Sequence, residues 1–284
     1  GSAERAREAL DNARRIGSRY YESLAASNLM RAWESTGEWE ELQQLGTELL
    51  AGSDARPVTE PLHFELAILA AFRGDIEAAR DHLAAIAAWR TSQNNQLRWL
   101  YAACHAKVSV AAGEFADALD IVGREVEEIV EAEGPSSIAI RIGFPAAIDA
   151  ALALGRLDDV DHLLSVLAQR PAGHVPPYVR AQLARGRGLL ASARDDRAAA
   201  ESQFGAAIQG FRSLGFPYWL ASAQTDLAKL LVENQRVDEA RSLLDEAVAA
   251  FSRLAATSAL QRAEAILGRD GTVSLQTGRA TGRE

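Results

Sequence analysis

Three groups of side chains in this chain are of the types that perform chemistry. The first combines oxygen and nitrogen donors of the kind that bind divalent metals: Asp158, Asp159, Asp161 and His162. These residues open a predicted helix, however, and the partial positive charge of a helix N-terminus favours carboxylates there in any case. We therefore predict an ordinary helix start and no metal site.

The second group is the adjacent pair Cys104 and His105, the residue types of a nucleophile and its general base. Adjacent positions on a helix point about 100° apart, so these two side chains do not face each other. We predict a buried cysteine beside a partly exposed histidine. Cys104 is also the only cysteine, which rules out an internal disulfide and favours a cytoplasmic location.

The third group is an acid-rich run that we predict to be a solvated outer helix face: Glu125, Glu127, Glu128, Glu131 and Glu133. The sequence has no glycine-rich phosphate loop, no His-Glu-x-x-His zinc motif and no Gly-x-Ser-x-Gly nucleophile motif. We find no catalytic residues and no set of residues for a cofactor. The chain is therefore predicted not to be an enzyme.

Composition limits the classes of partner. A net charge of −9 disfavours direct binding to nucleic acid. No apolar run approaches the ~20 residues that a transmembrane helix needs, so no membrane partner is predicted. With 284 residues, of which 48% are hydrophobic, the chain can bury a long continuous core.

The elements that position these residues follow from a repeated turn. Six short segments share a small or polar residue that reverses the chain, an apolar residue shortly after it, and a small residue where the next helix crosses its neighbour. The turns begin at positions 37, 74, 113, 155, 195 and 235, so successive turns are 37 to 42 residues apart. This spacing predicts an all-α superhelix, a solenoid of six stacked helical hairpins.

The clearest hairpin spans residues 214–254, where two apolar stripes of helical period flank a polar turn. The same register predicts first helices near 19–36, 61–73, 95–112, 137–154, 177–193 and 217–233. It predicts second helices near 38–51, 75–90, 114–132, 156–169, 196–213 and 236–254, with a capping helix near 257–267. Pro145 falls inside the fourth first helix and is predicted to kink that helix or delay its start.

The two ends of the chain do not follow the repeat. Residues 1–2 look like an expression-tag remnant, residues 3–267 are predicted to form one superhelical domain, and residues 268–284 a flexible tail. The N-terminal helix resembles the second helix of a truncated repeat. Truncation would expose an apolar face that favours a homodimer, formed by Leu10, Ala13 and Ile16.

The turns resemble those of the tetratricopeptide repeat (TPR) family. The family's small crossing position on the first helix is matched by Met30, Ala67, Ala106, Gly188 and Ala228, with Ile148 in the fourth repeat. Its alanine at the start of the second helix is matched by Ala79, Ala118, Ala200 and Ala240, with Leu42 and Val160 elsewhere. The step is longer than the ~34 residues usual for the family, so HEAT-like repeats, with a step near ~40, are the alternative.

A narrower resemblance covers mainly residues 175–267, including Leu-Gly-Phe-Pro at 214–217 and the helix 236–254. These segments are similar to the C-terminal TPR regions of bacterial multidomain signalling proteins. That group includes LuxR-type regulators with a central ATPase, maltose-regulator-like proteins, and class III adenylate or guanylate cyclases fused to an ATPase. The resemblance implies a non-catalytic scaffold or sensor arm in signalling or transcription regulation.

The resemblance also implies a binding surface, because TPR arrays bind partners on the concave face formed by their first helices. Transferring that register gives eight candidate positions: Arg31, Lys107, Asp149, Gln182, Arg185, Thr225, Asp226 and Lys229. The expected occupant is a protein or peptide, or another domain of the same full-length chain.

The alternative is a small-molecule sensor that controls an attached ATPase, cyclase or DNA-binding domain. Such a sensor needs aromatic and polar side chains that converge on an enclosed cavity. The candidates are Tyr178, Trp219 and Gln224, together with Arg185.

Overall fold

The computed structural model describes residues 2–277 and is helical throughout this range. The α-helices are α1 (Ser2–Ile16), α2 (Arg19–Thr36), α3 (Trp39–Ala51), α4 (Arg56–Arg73), α5 (Ile76–Ala85), α6 (Asn95–Ala112), α7 (Phe115–Val122), α8 (Glu125–Ala132), α9 (Ile138–Ala153), α10 (Leu157–Ala168), α11 (Pro177–Ala193), α12 (Arg197–Leu214), α13 (Pro217–Glu233), α14 (Val237–Arg253) and α15 (Thr257–Thr277). Short 3-10 helices occupy Ala87–Thr91 and Ala172–His174.

Successive helices pack in pairs, and one continuous core runs along the array. The six hairpins are α2–α3, α4–α5, α6–α7, α9–α10, α11–α12 and α13–α14, preceded by α1 and followed by α15. The predicted all-α superhelix of helical hairpins is confirmed. None of the helices in the described range combines the length and apolar character that a bilayer crossing requires.

Backbone geometry confirms the predicted turn register. All six predicted turn positions have a positive φ, between 59° and 93°. Glycine occupies the first four, where a left-handed conformation costs least, whereas Asp195 and Gln235 adopt it as non-glycine residues. The residues at the predicted helix crossings are also buried: Met30, Ala67, Ala106, Ile148, Gly188 and Ala228.

Four of the predicted helices have different boundaries. The predicted helix 75–90 ends as α5 at Ala85 and is followed by the 3-10 helix Ala87–Thr91. Helix α4 begins at Arg56 rather than near residue 61, because Pro57 lies in the first turn, where a missing N–H costs nothing. The predicted helix 114–132 is divided into α7 and α8 at Gly123, and glycine is a poor helix former. Helix α15 continues to Thr277 instead of ending near 267, and residues 278–284 of the predicted tail lie outside the described range.

Pro145 does not delay the start of its helix, whose bounds agree with the predicted 137–154 to within one residue. Helix α9 begins at Ile138, where the Ser137 side chain accepts a hydrogen bond from the Ala139 amide, and it continues through Pro145. A proline cannot donate to the carbonyl four residues earlier, here that of Arg141. The Tyr178 hydroxyl of α11 donates to that carbonyl instead, at 3.1 Å. A tertiary hydrogen bond therefore replaces the missing helical one.

We expect Tyr178→Phe to lower the free energy of unfolding by about 1–3 kcal/mol, because the buried Arg141 carbonyl would lose its donor. Adding Pro145→Ala restores a helical N–H to that carbonyl, so the loss caused by Tyr178→Phe should become smaller. Urea denaturation of the two single variants and the double variant measures this coupling. Tyr101→Phe, at a buried tyrosine with no hydroxyl hydrogen bond among the described residues, is the control. Additive effects of the two substitutions would contradict the proposed compensation.

The apolar face predicted on the first helix is not free. Leu10 and Ala13 are buried against α2, and only Ile16 is largely exposed, at 69%. The prediction of an open apolar face on the first helix was wrong, because the six-residue spacing of Leu10 and Ile16 places them on different sides of the helix.

The superhelix closes on itself. Helix α2 contacts α13, and α4 contacts α15, although these helices are far apart in sequence. The ring centroids of Trp39 and Tyr218 are 5.8 Å apart, and those of Phe72 and Tyr218 are 4.5 Å apart. Arg141 of α9 reaches across to an ion pair with Glu34 of α2. The first helices therefore surround an interior space rather than line an open groove.

Candidate ligand-binding site

A cavity of about 300 Å³ lies where several first helices meet, and we call it the central cavity. Helices α4, α6, α9, α11, α13 and α15 all contribute to its wall, so five of the six hairpins and the capping helix converge there. Its charged side chains are Lys107, Asp149, Arg185, Asp226 and Arg262. Its aromatic side chains are Phe72, Phe115, Tyr218, Trp219 and Phe251.

A buried arginine joins three helices at this cavity. Arg185 of α11, which is 8% exposed, donates from Nε to Asp226 Oδ2 at 2.7 Å and from Nη1 to Asp149 Oδ1 at 2.9 Å. Burial raises the pKa of the Asp226 carboxyl, although the Arg185 charge opposes this shift. The three groups carry one net negative charge when both carboxylates are ionised.

Lys107 of α6 has different surroundings. Its ammonium lies 3.7 Å from the ring centroid of Phe72 and within 6 Å of those of Tyr218 and Trp219. Within the described residues it has no hydrogen-bond or ion-pair partner. Burial lowers the pKa of Lys107 to about 8, while the Asp149 charge opposes that shift. Cation–π contacts with the rings hold this ammonium at the cavity wall.

A second polar layer adjoins the central cavity. Lys107 and Asp149 also line a small cavity of about 20 Å³ with Glu34, Arg141 and Tyr178. Burial raises the pKa of Glu34, although its partner Arg141 opposes the shift.

Arg141 further lines a wider cleft of about 610 Å³ next to α1 and α2. Because neighbouring cavities share residues, the polar interior extends from this cleft to the central cavity. The Glu34–Arg141 ion pair lies between the two spaces.

The structure brings together most of the residues predicted for the concave face. Lys107, Asp149, Arg185, Thr225 and Asp226 line the central cavity, as does Trp219 from the alternative set. Tyr178 lines the adjoining small cavity. Arg31 is separate: it lines the wider cleft and pairs with the buried Glu65.

Three predicted positions do not line the cavity. Gln182 is 3% exposed, and its Nε2 donates to the Tyr178 hydroxyl at 2.9 Å. Gln224 is 1% exposed and donates to Glu246 of α14, so it packs between helices. The Lys229 side chain is 68% exposed and lies near Glu233, one helical turn further on. Each of these three positions lies on a flank of its helix or near the end of it, away from the cavity.

Sequence reasoning missed Phe72, Arg141 and Arg262 as site residues. Phe72 ends the first helix of its repeat, and only the closure of the superhelix brings it next to Tyr218. Arg262 lies on α15, which has no partner helix in the repeat pattern. The pairing of Arg141 with Glu34 spans 107 residues and has no local signal in the sequence.

The other clusters of reactive or metal-binding residue types, which the sequence analysis singled out, have ordinary structural roles. Cys104 is buried and burial raises its pKa, whereas His105 is partly exposed and lies 3.1 Å from Asp117, as predicted for this pair. Asp159 pairs with Arg156, and Asp161 pairs with Arg194. Glu127, Glu128 and Glu131 are exposed, which confirms the solvated acidic face at these positions.

Comparison with known proteins adds little to this description. No protein-family model matches the chain, and no curated protein matches it. A crystal structure of BtubC (BKLC) from P. vanneervenii is similar, with a TM-score of 0.44 and 16% sequence identity over 88% of this chain and 90% of that one. A similarity at this level carries no argument about function, so the candidate site stands on its own geometry.

Proposed function

We propose that this chain is a non-catalytic sensor module that binds a compact small molecule in the central cavity. The observation that carries the proposal is the convergence of charged and aromatic side chains from five of the six hairpins and the capping helix on one space of about 300 Å³. This volume is at the lower end of the range of about 300–1,000 Å³ that is typical of ligand pockets. Because several hairpins form the wall of this site, the affinity for a ligand depends on how the hairpins are placed relative to one another.

The alternative occupant, an extended peptide on the concave face, is less favoured. Contacts of α2 with α13 and of α4 with α15 leave no continuous groove along the first helices. A peptide end or a single side chain can still reach the wider cleft beside α1 and α2. We therefore propose that a protein partner would contact this cleft with its chain end or with a single side chain.

The assignment of the repeat family and of the attached domain rests on the sequence resemblance. We propose TPR-type repeats, supported by the positive φ at all six turns and by the buried small residues at the crossings. On the same resemblance, we propose that the ligand signal passes to an attached ATPase, cyclase or DNA-binding domain in a bacterial cytoplasmic protein. The ligand would bind one arrangement of the hairpins more tightly than another, and this difference in affinity would shift the activity of the attached domain.

A thermal-shift screen of small metabolites against wild type and a cavity-filled variant tests the proposed site. Ser222→Trp fills the cavity from α13, and Ala111→Leu is a smaller filling variant for use if the first fails to fold. Ser213→Trp, at an exposed position of α12, is the matched control. We expect hits that stabilise wild type and the control but not the filled variant. No hits, or equal shifts in all variants, would overturn the proposed function.

A further inference from the structure

We propose that the ligand of the central cavity is a small organic monocarboxylate whose carboxylate binds between Lys107 and Arg262. This inference rests on the proposed small-molecule function and adds the chemical class of the ligand. It depends on three observations: the charge balance of the cavity wall, the unpaired ammonium of Lys107, and the size and apolar character of the remaining wall.

The charge balance favours one added negative charge. Three cationic and two acidic side chains line the cavity, so its wall carries one net positive charge when all five are ionised. Both acidic groups, Asp149 and Asp226, are already held by Arg185. Lys107 and Arg262 are therefore the two wall cations without an ion-pair partner among the described residues. A monocarboxylate neutralises the wall, whereas a dianion such as a phosphate monoester would leave it negative.

The donors of Lys107 are unused. An ammonium has three N–H donors and normally pairs with oxygen acceptors when it is removed from water. Here its neighbours are aromatic rings, and the positive charges of Arg262 and Arg185 both act to lower its pKa, after the larger effect of burial. An anion between the two side chains would supply the missing acceptors and relieve the repulsion between Lys107 and Arg262.

Arg262 completes the opposite side of the anion site. Arg262 is an exposed residue that lines the cavity wall, and its charge opposes the rise that burial causes in the pKa of Tyr218. Within the described residues it forms no ion pair, so its guanidinium retains donors for a carboxylate.

The rest of the wall fits an apolar body. Val110, Ala111, Phe115 and Ala259 present hydrocarbon surface to the cavity. A cavity of about 150 Å³ is sufficient for benzene, so a space of about 300 Å³ accepts a carboxylic acid with one ring or a short branched chain. Larger peptides and nucleotides exceed this space.

The chain provides an unusually clean test, because Lys107 and Lys229 are its only two lysines. The probes are aliphatic and monocyclic aromatic monocarboxylates, each compared with its neutral primary amide, in titrations monitored by calorimetry. We expect carboxylates to bind wild type at least tenfold more tightly than their amides. Lys107→Met and Arg262→Gln should each weaken carboxylate binding at least tenfold, whereas Lys229→Met, at the exposed lysine, should not change it.

A second measurement of carboxylate binding uses the wild-type protein alone. Reductive ¹³C-methylation labels both lysines, and their NMR signals report each pKa directly. A bound carboxylate should raise the pKa of Lys107 and leave that of Lys229 unchanged. If amides bind as tightly as acids, or if ligands bind without moving the Lys107 signal, the monocarboxylate inference is wrong while the small-molecule function stands. If no compound binds in the cavity at all, both are wrong.

Discussion

Arg185→Met is expected to lower the free energy of unfolding by about 3 kcal/mol at neutral pH, because it leaves two carboxylates in a partly buried site without their counter-charge. Asp149 and Asp226 approach Arg185 at 2.9 Å and 2.7 Å, and both line the central cavity. Urea denaturation at pH 7 measures the loss. Asp149→Asn and Asp226→Asn added to Arg185→Met should recover most of it, since amides do not carry the unpaired charge.

The stability loss caused by Arg185→Met should depend on pH, and the direction of this dependence follows from the pKa of Asp226. Burial raises the pKa of Asp226 even with Arg185 present, and removal of the guanidinium removes the main opposing effect. A carboxyl whose folded pKa exceeds its unfolded value stabilises the fold fully below the unfolded pKa, and that stability is lost as pH rises through the folded pKa. The Arg185→Met defect should therefore shrink as pH falls from 7 toward 4.

Arg236 provides the matched control for this result. It also pairs with two carboxylates, those of Glu201 and Glu239, but all three side chains are at least 40% exposed. Solvent screens such pairs, so Arg236→Met should change stability far less than Arg185→Met does. Similar losses in the two variants would mean that burial of the Arg185 group does not determine its contribution.

Gly188→Leu is expected to cost about 3 kcal/mol, the upper part of the usual range for overpacking a core. A Cβ atom at Gly188 would lie only 2.6 Å from Cδ1 and 2.7 Å from Cε1 of Phe204. The Phe204 ring is 1% exposed and packs with Ala200 and Leu230, so it has no free space into which to move. Helices α11 and α12 would have to separate. Thermal or urea unfolding measures the cost.

The same substitution at Gly205 of α12 serves as the control. A Cβ there meets no atom within 4 Å, so Gly205→Leu should be neutral or should stabilise the helix by up to about 1 kcal/mol. If both variants unfold at the same denaturant concentration, then close approach at Gly188 is not a packing requirement. The crossing register of the fifth hairpin would then need revision.

Local features could be predicted well from the sequence. Four first helices have the predicted bounds to the residue: Arg19–Thr36, Asn95–Ala112, Pro177–Ala193 and Pro217–Glu233. Their limits depend on apolar stripes, turn residues and first-turn prolines, which are all signals within a few positions of each other. The crossing residue Ala228 and its counterparts were predictable for the same reason, because a small side chain recurs at four of the six helix crossings.

The closure of the superhelix could not be predicted in this way. It depends on small rotations at every helix interface, and packing angles scatter by about 15–20° around their preferred values. A few degrees per hairpin decide whether Phe72 meets Tyr218 or faces solvent. The cavity was therefore predicted only in its repeat-based residues, such as Lys107 and Asp149. Arg262 and the Glu34–Arg141 pair depend on the closure itself.

Contact between the first and last hairpins changes how this chain should unfold. In an open array each repeat touches only its neighbours, so either end can fray while the rest persists. Here fraying of the α2–α3 hairpin also separates Trp39 of α3 from Tyr218 and breaks the pair of Glu34 of α2 with Arg141, which weakens α13 and α9 at the same time. The two ends are thus thermodynamically linked, and native-state hydrogen exchange in α2 and α13 should proceed through one shared opening rather than two independent ones.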